Sequence, residues 1–150
     1  MLNTISYRQD TFKAIESEDK SNLGTIYFPI AFCVIILIFW RRPNILVASL
    51  MPLTWGDAMA SILGRAYGHV KYTIFGSVRS IEGSVSMFLF SLISTGLALW
   101  LVPPGLGAGL SFGLAFAVAI AAALAEAVSP WGLDYLIVPA VSGLVLFLVL

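Results

Sequence analysis

The stretch Trp55–Ser84, WGDAMASILGRAYGHVKYTIFGSVRSIEGS, decides how the rest of the chain is read. It gathers Asp57, Arg65, His69, Lys71, Arg79 and Glu82 with five glycines, in a chain otherwise nearly free of charge beyond its N-terminal segment. Asp57 lies inside an apolar run that begins near Ile45. An aspartate at the centre of a membrane helix costs roughly 2.5–3.5 kcal/mol on insertion scales, so it faces protein, water or a cation in preference to lipid. At helical spacing Asp57, Ala60, Ser61, Gly64 and Gly68 share one face. Apart from the aspartate that face is built of small residues, which let a second helix or a ligand approach the backbone. Gly64-x-x-x-Gly68 taken alone is a helix-packing motif.

Composition sets the class. The 150 residues are 59% hydrophobic and 11% charged, with a mean hydropathy of +0.96. Soluble domains carry about 25% charged residues, so the chain reads as an all-α, multi-pass integral membrane protein. The formal net charge of +0 gives no basic field for nucleic acid. The single cysteine, Cys33, excludes an intrachain disulfide and a cysteine-based zinc site, and reads as an inert packing residue.

Beyond the helical face, Arg65, His69 and Lys71 leave the membrane together. Gly76 and Ser77 make a turn, and Arg79-Ser80-Ile81-Glu82-Gly83-Ser84 stands at the mouth of the next apolar run. A carboxylate, cations and glycines at one membrane surface suit a nucleotide phosphate with its Mg²⁺. The hard metal takes oxygen ligands, Arg and Lys take phosphate oxygens, and glycines admit close backbone approach. No GxxxxGK[ST] loop is present, so this is not a P-loop kinase.

The residues GDAMASILGRAYG, then a basic residue, then RSIEGS, resemble the signature of the integral-membrane polyprenol kinase family: phytol kinases, dolichol kinases and CTP-dependent diacylglycerol kinases. Gly56-Asp57, Ala60, Gly64-Arg65 and Gly68 match in spacing, as does Ser80-x-Glu82-Gly83-Ser84. Arg79 stands where that family usually has lysine, which keeps the charge and changes the geometry. A shorter version of the signature occurs in phosphatidate cytidylyltransferases.

Around this centre we expect about five transmembrane helices. The polar segment 1–23, with Arg8, Lys13 and Lys20, precedes a membrane region over 24–150. The spans read as Gly24–Trp40, Asn44 to about Gly64 with Pro52 inside it, Gly83–Val102, Leu106–Ala125 and Tyr135–Leu150. Tyr27 and Trp40 suit the two interfaces, and Arg41-Arg42 reads as an interfacial anchor. A second polar island, Glu126–Asp134, precedes the last span. Asp134 suits a helix cap, whereas Glu126 at a helix C-terminus opposes the helix dipole and asks for a partner. The resembling family has a similar element of an acidic residue, a short turn, Asp-Asn and a proline-bearing last helix. Glu126, Asp134 and Pro139 match it, and Tyr135 replaces the asparagine. Helices that usually precede this region in the family are absent from the chain, so it reads as the C-terminal part of that fold, with a separate chain as one source of the rest.

Two crossings place Glu126–Asp134 on the same side as the Arg65–Glu82 loop. The positive-inside rule assigns that side to the cytoplasm, with Arg41 and Arg42 dissenting. The resemblance implies a CTP-dependent lipid-alcohol kinase acting on phytol or a related isoprenoid alcohol. In that reading Asp57, Glu126 and Asp134 are the catalytic carboxylates, with Asp57 and Asp134 holding Mg²⁺. Gly56, Gly64, Arg65, Gly68, Lys71, Arg79, Ser80, Glu82, Gly83 and Ser84 bind the nucleotide. The alternatives are a phosphatidate cytidylyltransferase and a non-catalytic membrane subunit. Against the former, the chain lacks the Lys-Asp and Pro-Gly-His-Gly-Gly run of such enzymes.

Overall fold

The computed structural model describes residues 23–130 and 132–150. The expectations for Met1–Asn22, including its basic residues on the site's side, lie outside the described residues. Among the described residues five apolar helical segments follow one another, as the run lengths require.

Helix α1 (Leu23–Phe39) ends at Trp40-Arg41-Arg42, and Pro43 opens the next helix, where its missing N–H would have had no partner anyway. Helix α2 (Pro43–Met51) then runs into a π-helical turn (Pro52–Gly56) and continues as α3 (Asp57–Tyr67), one 25-residue helix in all. Pro52 does not break the helix. The turn widens by one residue, so that the Asp57 N–H donates to the Pro52 carbonyl. The Thr54 hydroxyl donates to the carbonyls of Leu50 (3.0 Å) and Met51 (3.3 Å), satisfying groups the distorted ladder leaves free. Such turns gather at functional sites, and this one sets the angular position of Asp57.

The stretch after α3 is not the plain loop the sequence reading expects. Strands β1 (Lys71–Ile74) and β2 (Ser77–Ser80) form an antiparallel hairpin, with Tyr72 opposite Arg79 and Thr73 opposite Val78. Phe75 and Gly76 make the turn, both at positive φ (49° and 83°). Two successive positive φ values match the right-handed twist of a tight hairpin. The hairpin feeds directly into α4 (Ile81–Leu101), where the Ser80 Oγ caps the helix by accepting from the Gly83 N–H at 3.1 Å. Helices α5 (Ala108–Val128) and α6 (Asp134–Val149) complete the bundle.

Helix α4 is the hub, packed against α2, the π turn, α3 and α5, while α6 packs on α1, α2 and α5. The core has two parts. Ile35, Phe39, Ile45, Leu50, Leu99, Leu114 and Leu146 fill one with bulk. The other, beside α3, is made of Ala60, Met87, Ala122, Ala125 and Val138, so backbones approach more closely there. Helix α1 buries Gly24 near its start and, further along, the stripe Ala31, Ile35 and Phe39, spaced four apart. Cys33 falls off that stripe and is exposed, which corrects its reading as a packing residue.

Among the described residues three helices, Pro43–Tyr67, α4 and α5, are long and apolar enough to cross a membrane. The 21 residues of α4 or α5 rise about 31 Å, the thickness of a bilayer's hydrocarbon core. Large apolar side chains, among them Leu37, Leu124 and Leu148, cover the outside. With apolar faces inside and out, the bundle is a multi-pass membrane protein.

Gly56 tests this packing. A Cβ there would meet the Ser91 hydroxyl and lie 2.7 Å from the Met87 sulfur, both fully buried. Gly56→Ala should lower stability by about 1–3 kcal/mol through overpacking. Gly113→Ala, which opens onto free space, should be neutral or gain up to about 1 kcal/mol in helix propensity. Thermal unfolding in detergent checks both. Equal midpoints would show that the contact between the π turn and α4 is loose.

Candidate functional site

The site forms where α3, the hairpin, α4 and the adjoining ends of α5 and α6 meet. At its centre the Arg79 guanidinium bridges two elements. Its Nη1 donates to Glu126 Oε1 (2.5 Å), its Nη2 to Asp134 Oδ2 (3.0 Å), and a longer bond reaches the Ser129 carbonyl (3.4 Å). Glu126 and Asp134 are buried, at 5% and 7% exposure. The last turn of α5 is an unfavourable place for a carboxylate and the first turn of α6 a favourable one. One planar guanidinium serves both, as lysine's single ammonium could not in the same geometry. Burial acts to lower the Arg79 pKa, but Glu126, Asp134 and Asp57 outweigh it and raise it above its ordinary value. Arg79 is therefore a permanent cation.

Of the three expected carboxylates, Glu126 and Asp134 bond Arg79 directly, and Asp57 acts on it through its charge, with no direct bond. Asp57 is half-buried in the first turn of α3. Asp134 also accepts from the Tyr135 N–H at 3.1 Å, holding the start of α6. Tyr135 itself turns away, its ring packed beside Gly24 and Phe28.

Above this cluster opens a cleft of about 530 Å³. Its floor is the small face of α3, namely Ala60, Ser61, Gly64 and Gly68, against Gly83 and Ser84 of α4. A Cβ on Gly64 would lie 3.0 Å from the Ser80 Oγ and 3.4 Å from the Gly83 Cα, so glycine is what lets the helices meet here. Arg65, Lys71, Val78, Arg79, Ser80 and Glu126 form the walls. Among the described residues, Arg65 and Lys71 make no ion pair, and both are exposed.

Four expected site residues lie outside the cleft lining. Asp57, in the first turn of α3, is one of them. Gly56 packs against Met87 and Ser91 in the core. Asp134 sits behind Arg79. Glu82 faces the chain before β1, where its Oε1 accepts from the backbone N–H groups of His69 (3.0 Å) and Val70 (3.3 Å). Glu82 thereby closes the passage from α3 into the hairpin. His69 is an exposed linker residue. The sequence alone does not single out Tyr72, Val78 or Ser129. The Tyr72 hydroxyl bonds Ser84 at 2.5 Å and ties the hairpin to α4. The β-branched, alternating run VKYTI before Phe-Gly was the available signal for a strand and turn.

The donor set bears on a metal. Among the described residues no three His, Cys, Asp or Glu side chains form a metal-binding group. Two carboxylates nevertheless share the Arg79 guanidinium. Glu126 Oε2 is buried without a hydrogen-bond partner among the described residues, as is Arg79 Nε. That fits a magnesium ion brought in with phosphate oxygens, which needs only one or two protein carboxylates.

Removing one partner of the central ion pair should be severe. Arg79→Met leaves two buried carboxylates without their cation and should cost about 3–5 kcal/mol. Arg79→Lys should lose less, because a charge remains. Thermal unfolding in detergent distinguishes them, and a stable Arg79→Met would show that the carboxylates are solvated from the cleft.

No family model matches the chain and no solved structure matches it. Curated proteins do. A phytol kinase of Synechocystis sp. is 29% identical over 96 residues, covering 63% of this chain and 41% of that protein. Probable phytol kinase 1, chloroplastic, of Oryza sativa is 38% identical over 77 residues, 51% of this chain and 24% of that protein. Phytol kinase 1, chloroplastic, of Arabidopsis thaliana is 34% identical over 90 residues, 58% and 29% respectively. The chain thus spans less than half the length of these relatives. Over the matched half or more of its own residues it is a sequence relative of the phytol kinases, and it resembles the polyprenol kinase family.

Proposed function

We propose that this chain carries the nucleotide site of a lipid-alcohol kinase that transfers the γ-phosphoryl group of a nucleoside triphosphate, CTP in the first instance, to phytol or a related isoprenoid alcohol. The observation that supports it most is the cleft at a membrane edge. It has exposed cations in its wall without ion partners among the described residues, the buried Glu126 carboxylate beside Arg79, and a floor of small residues. The sequence relationship to phytol kinases supports the alcohol as acceptor.

In this reading Arg65 and Lys71 take up phosphate oxygens as charge-assisted donors. The close backbones of Gly64, Gly68 and Gly83 leave room for the polyphosphate, and Ser61, Ser80 and Ser84 offer hydroxyls beside it. Magnesium, held through Asp57 and Asp134 with Glu126 beside them, would supply neutralisation of charge on the β- and γ-phosphate oxygens. Asp57 orients the alcohol hydroxyl and accepts its proton. The alcohol oxygen bonds to the γ-phosphorus as the bridge to the β-phosphate breaks, releasing the nucleoside diphosphate. Such a transfer depends on positioning and charge neutralisation more than on covalent chemistry. The alcohol's hydrocarbon tail stays in the lipid, and the cleft faces the cytoplasm, following the positive charge around it.

The test supplies labelled CTP or ATP to membranes holding the full chain, with phytol, a longer prenol, diacylglycerol or phosphatidate. Phosphorylated phytol or prenol is expected. Label incorporated only from phosphatidate, as a cytidylyl adduct, would replace the kinase reading with a cytidylyltransferase, and no product from any acceptor would overturn both. Asp57→Asn sharpens the assignment. It keeps the shape and removes the charge, so turnover should collapse, by roughly 10²-fold or more if the carboxylate acts as base. Insertion and thermal stability should hold or improve, since a charge is removed from the membrane helix. Near-normal turnover would take Asp57 out of the site.

A further inference from the structure

The hairpin carries a feature that neither its own fold nor the cleft explains. Its turn places Phe75 at φ 49°, in the left-handed region. A bulky aromatic there is a genuine outlier, where Asn, Asp or Gly would sit without strain. The ring gains little from the described residues in return, because Phe75 is 72% exposed. An unfavourable backbone state filled by a side chain that buries so little is a sign that something outside the chain is touched.

The geometry limits what that is. The hairpin is tied at both ends to helices that read as membrane spans. Tyr67 ends α3 shortly before β1, and α4 starts directly after β2. The Tyr72–Arg79 cross-strand pair is pinned to the bundle through Ser84, Glu126 and Asp134. From Tyr72 to Phe75 the chain advances three residues, a reach of about 10 Å. The tip therefore stays close to the distance over which a bilayer passes from hydrocarbon through headgroups to water, about 5–8 Å per leaflet. The surroundings match an interface. Tyr67, Val70 and Ile81 are exposed apolar neighbours, and Arg65, His69 and Lys71 are exposed basic residues. From Ala58 to Ile81 no acidic residue occurs, so the surface complements anionic headgroups.

We propose that the β1–β2 hairpin is a membrane-surface finger whose tip residue, Phe75, inserts into the interfacial layer of the bilayer and thereby fixes the hairpin over the cleft. A free two-stranded hairpin is marginally stable in water. Here one end of the ladder is held by the Arg79 and Tyr72 bonds and the other by lipid. The finger sets the position of Lys71 and Val78, which line the cleft from the hairpin. The inference rests on the spans and the hairpin alone and stands whether or not the chain is a kinase.

The test uses the full chain in nanodiscs of phosphatidylcholine and phosphatidylglycerol. In a Cys33→Ala background, Phe75→Cys carries an environment-sensitive fluorophore. Quenching by lipids with a shallow nitroxide, together with protection from aqueous iodide, is expected. Iodide quenching equal to that of free dye would overturn the proposal. Protection from iodide without nitroxide quenching would also overturn it, by showing that another protein copy covers the tip. A second measurement does not depend on a label. Phe75→Asn suits the positive φ better, so a purely structural turn should exchange its amide hydrogens more slowly or equally in this variant. The membrane finger requires the reverse in bilayers: hairpin amides should exchange several-fold faster in Phe75→Asn, with protection recovered in Phe75→Trp. Unchanged or slower exchange of Phe75→Asn in nanodiscs would end the proposal.

Discussion

One guanidinium holds the functional end of this bundle together. Arg79 lies on a hairpin between α3 and α4, and its two carboxylate partners lie on α5 and α6. Without it, Glu126 would be a buried carboxylate at the wrong end of a helix dipole and Asp134 a second one beside it. The ion pair joins parts of the chain about fifty residues apart. It is also the reason the cleft has a charged base inside a largely apolar molecule. The geometry of arginine suits this, since two nitrogens of one rigid plane meet two different carboxylates.

The rest of the site can be understood as what must surround such a cluster. The helices that bring it together have to approach closely, and they do so through Ala60, Gly64 and Gly83 on the α3–α4 contact and through Ala122 and Ala125 on α5. Where the core has no site to build, at the other end, it returns to Leu, Ile and Phe. The π turn at Pro52–Gly56 belongs to the same arrangement. Immediately before Asp57 it resets the helical phase at the start of α3, whose small face lines the cleft. Glu82 and Ser80 work locally, one gathering the amides of His69 and Val70 and the other capping α4. Their structural tasks fix the hairpin's base, and the Ser80 hydroxyl remains at the cleft wall.

The cations divide by partnership. Arg79 is committed to carboxylates, whereas Arg65 and Lys71 stand in the cleft wall without ion partners among the described residues. Phosphate oxygens would be met by the second pair, while the first holds the scaffold. Sequence alone points all three cations toward phosphate, because charge and proximity in the chain are visible there and pairing is not.

The sequence by itself determined the class of the molecule. Its apolar runs, too long and too uniform for a soluble core, dictate helices in a membrane, because only helices or closed barrels satisfy the backbone there. It also marked Asp57, Glu126 and Asp134, since charges are scarce in such a chain and each must find a partner. The count of two crossings between the polar islands placed them on one side, and the small residues at helical spacing marked the face that would be approached. What sequence could not determine was the pairing. That Arg79, rather than Arg65 or Lys71, neutralises Glu126 and Asp134 depends on a hairpin register set by Phe75 and Gly76. Two strands of four residues each are too short for periodicity to separate from loop. That Pro52 widens the helix instead of breaking it depends on Thr54 bonding back to Leu50 and Met51. That Gly56 packs on Met87 while Gly64 lines a cleft depends on which side of α3 meets α4. Each of these is a contact between residues distant in the chain or a competition among local hydrogen bonds, and only the assembled tertiary structure settles which one wins.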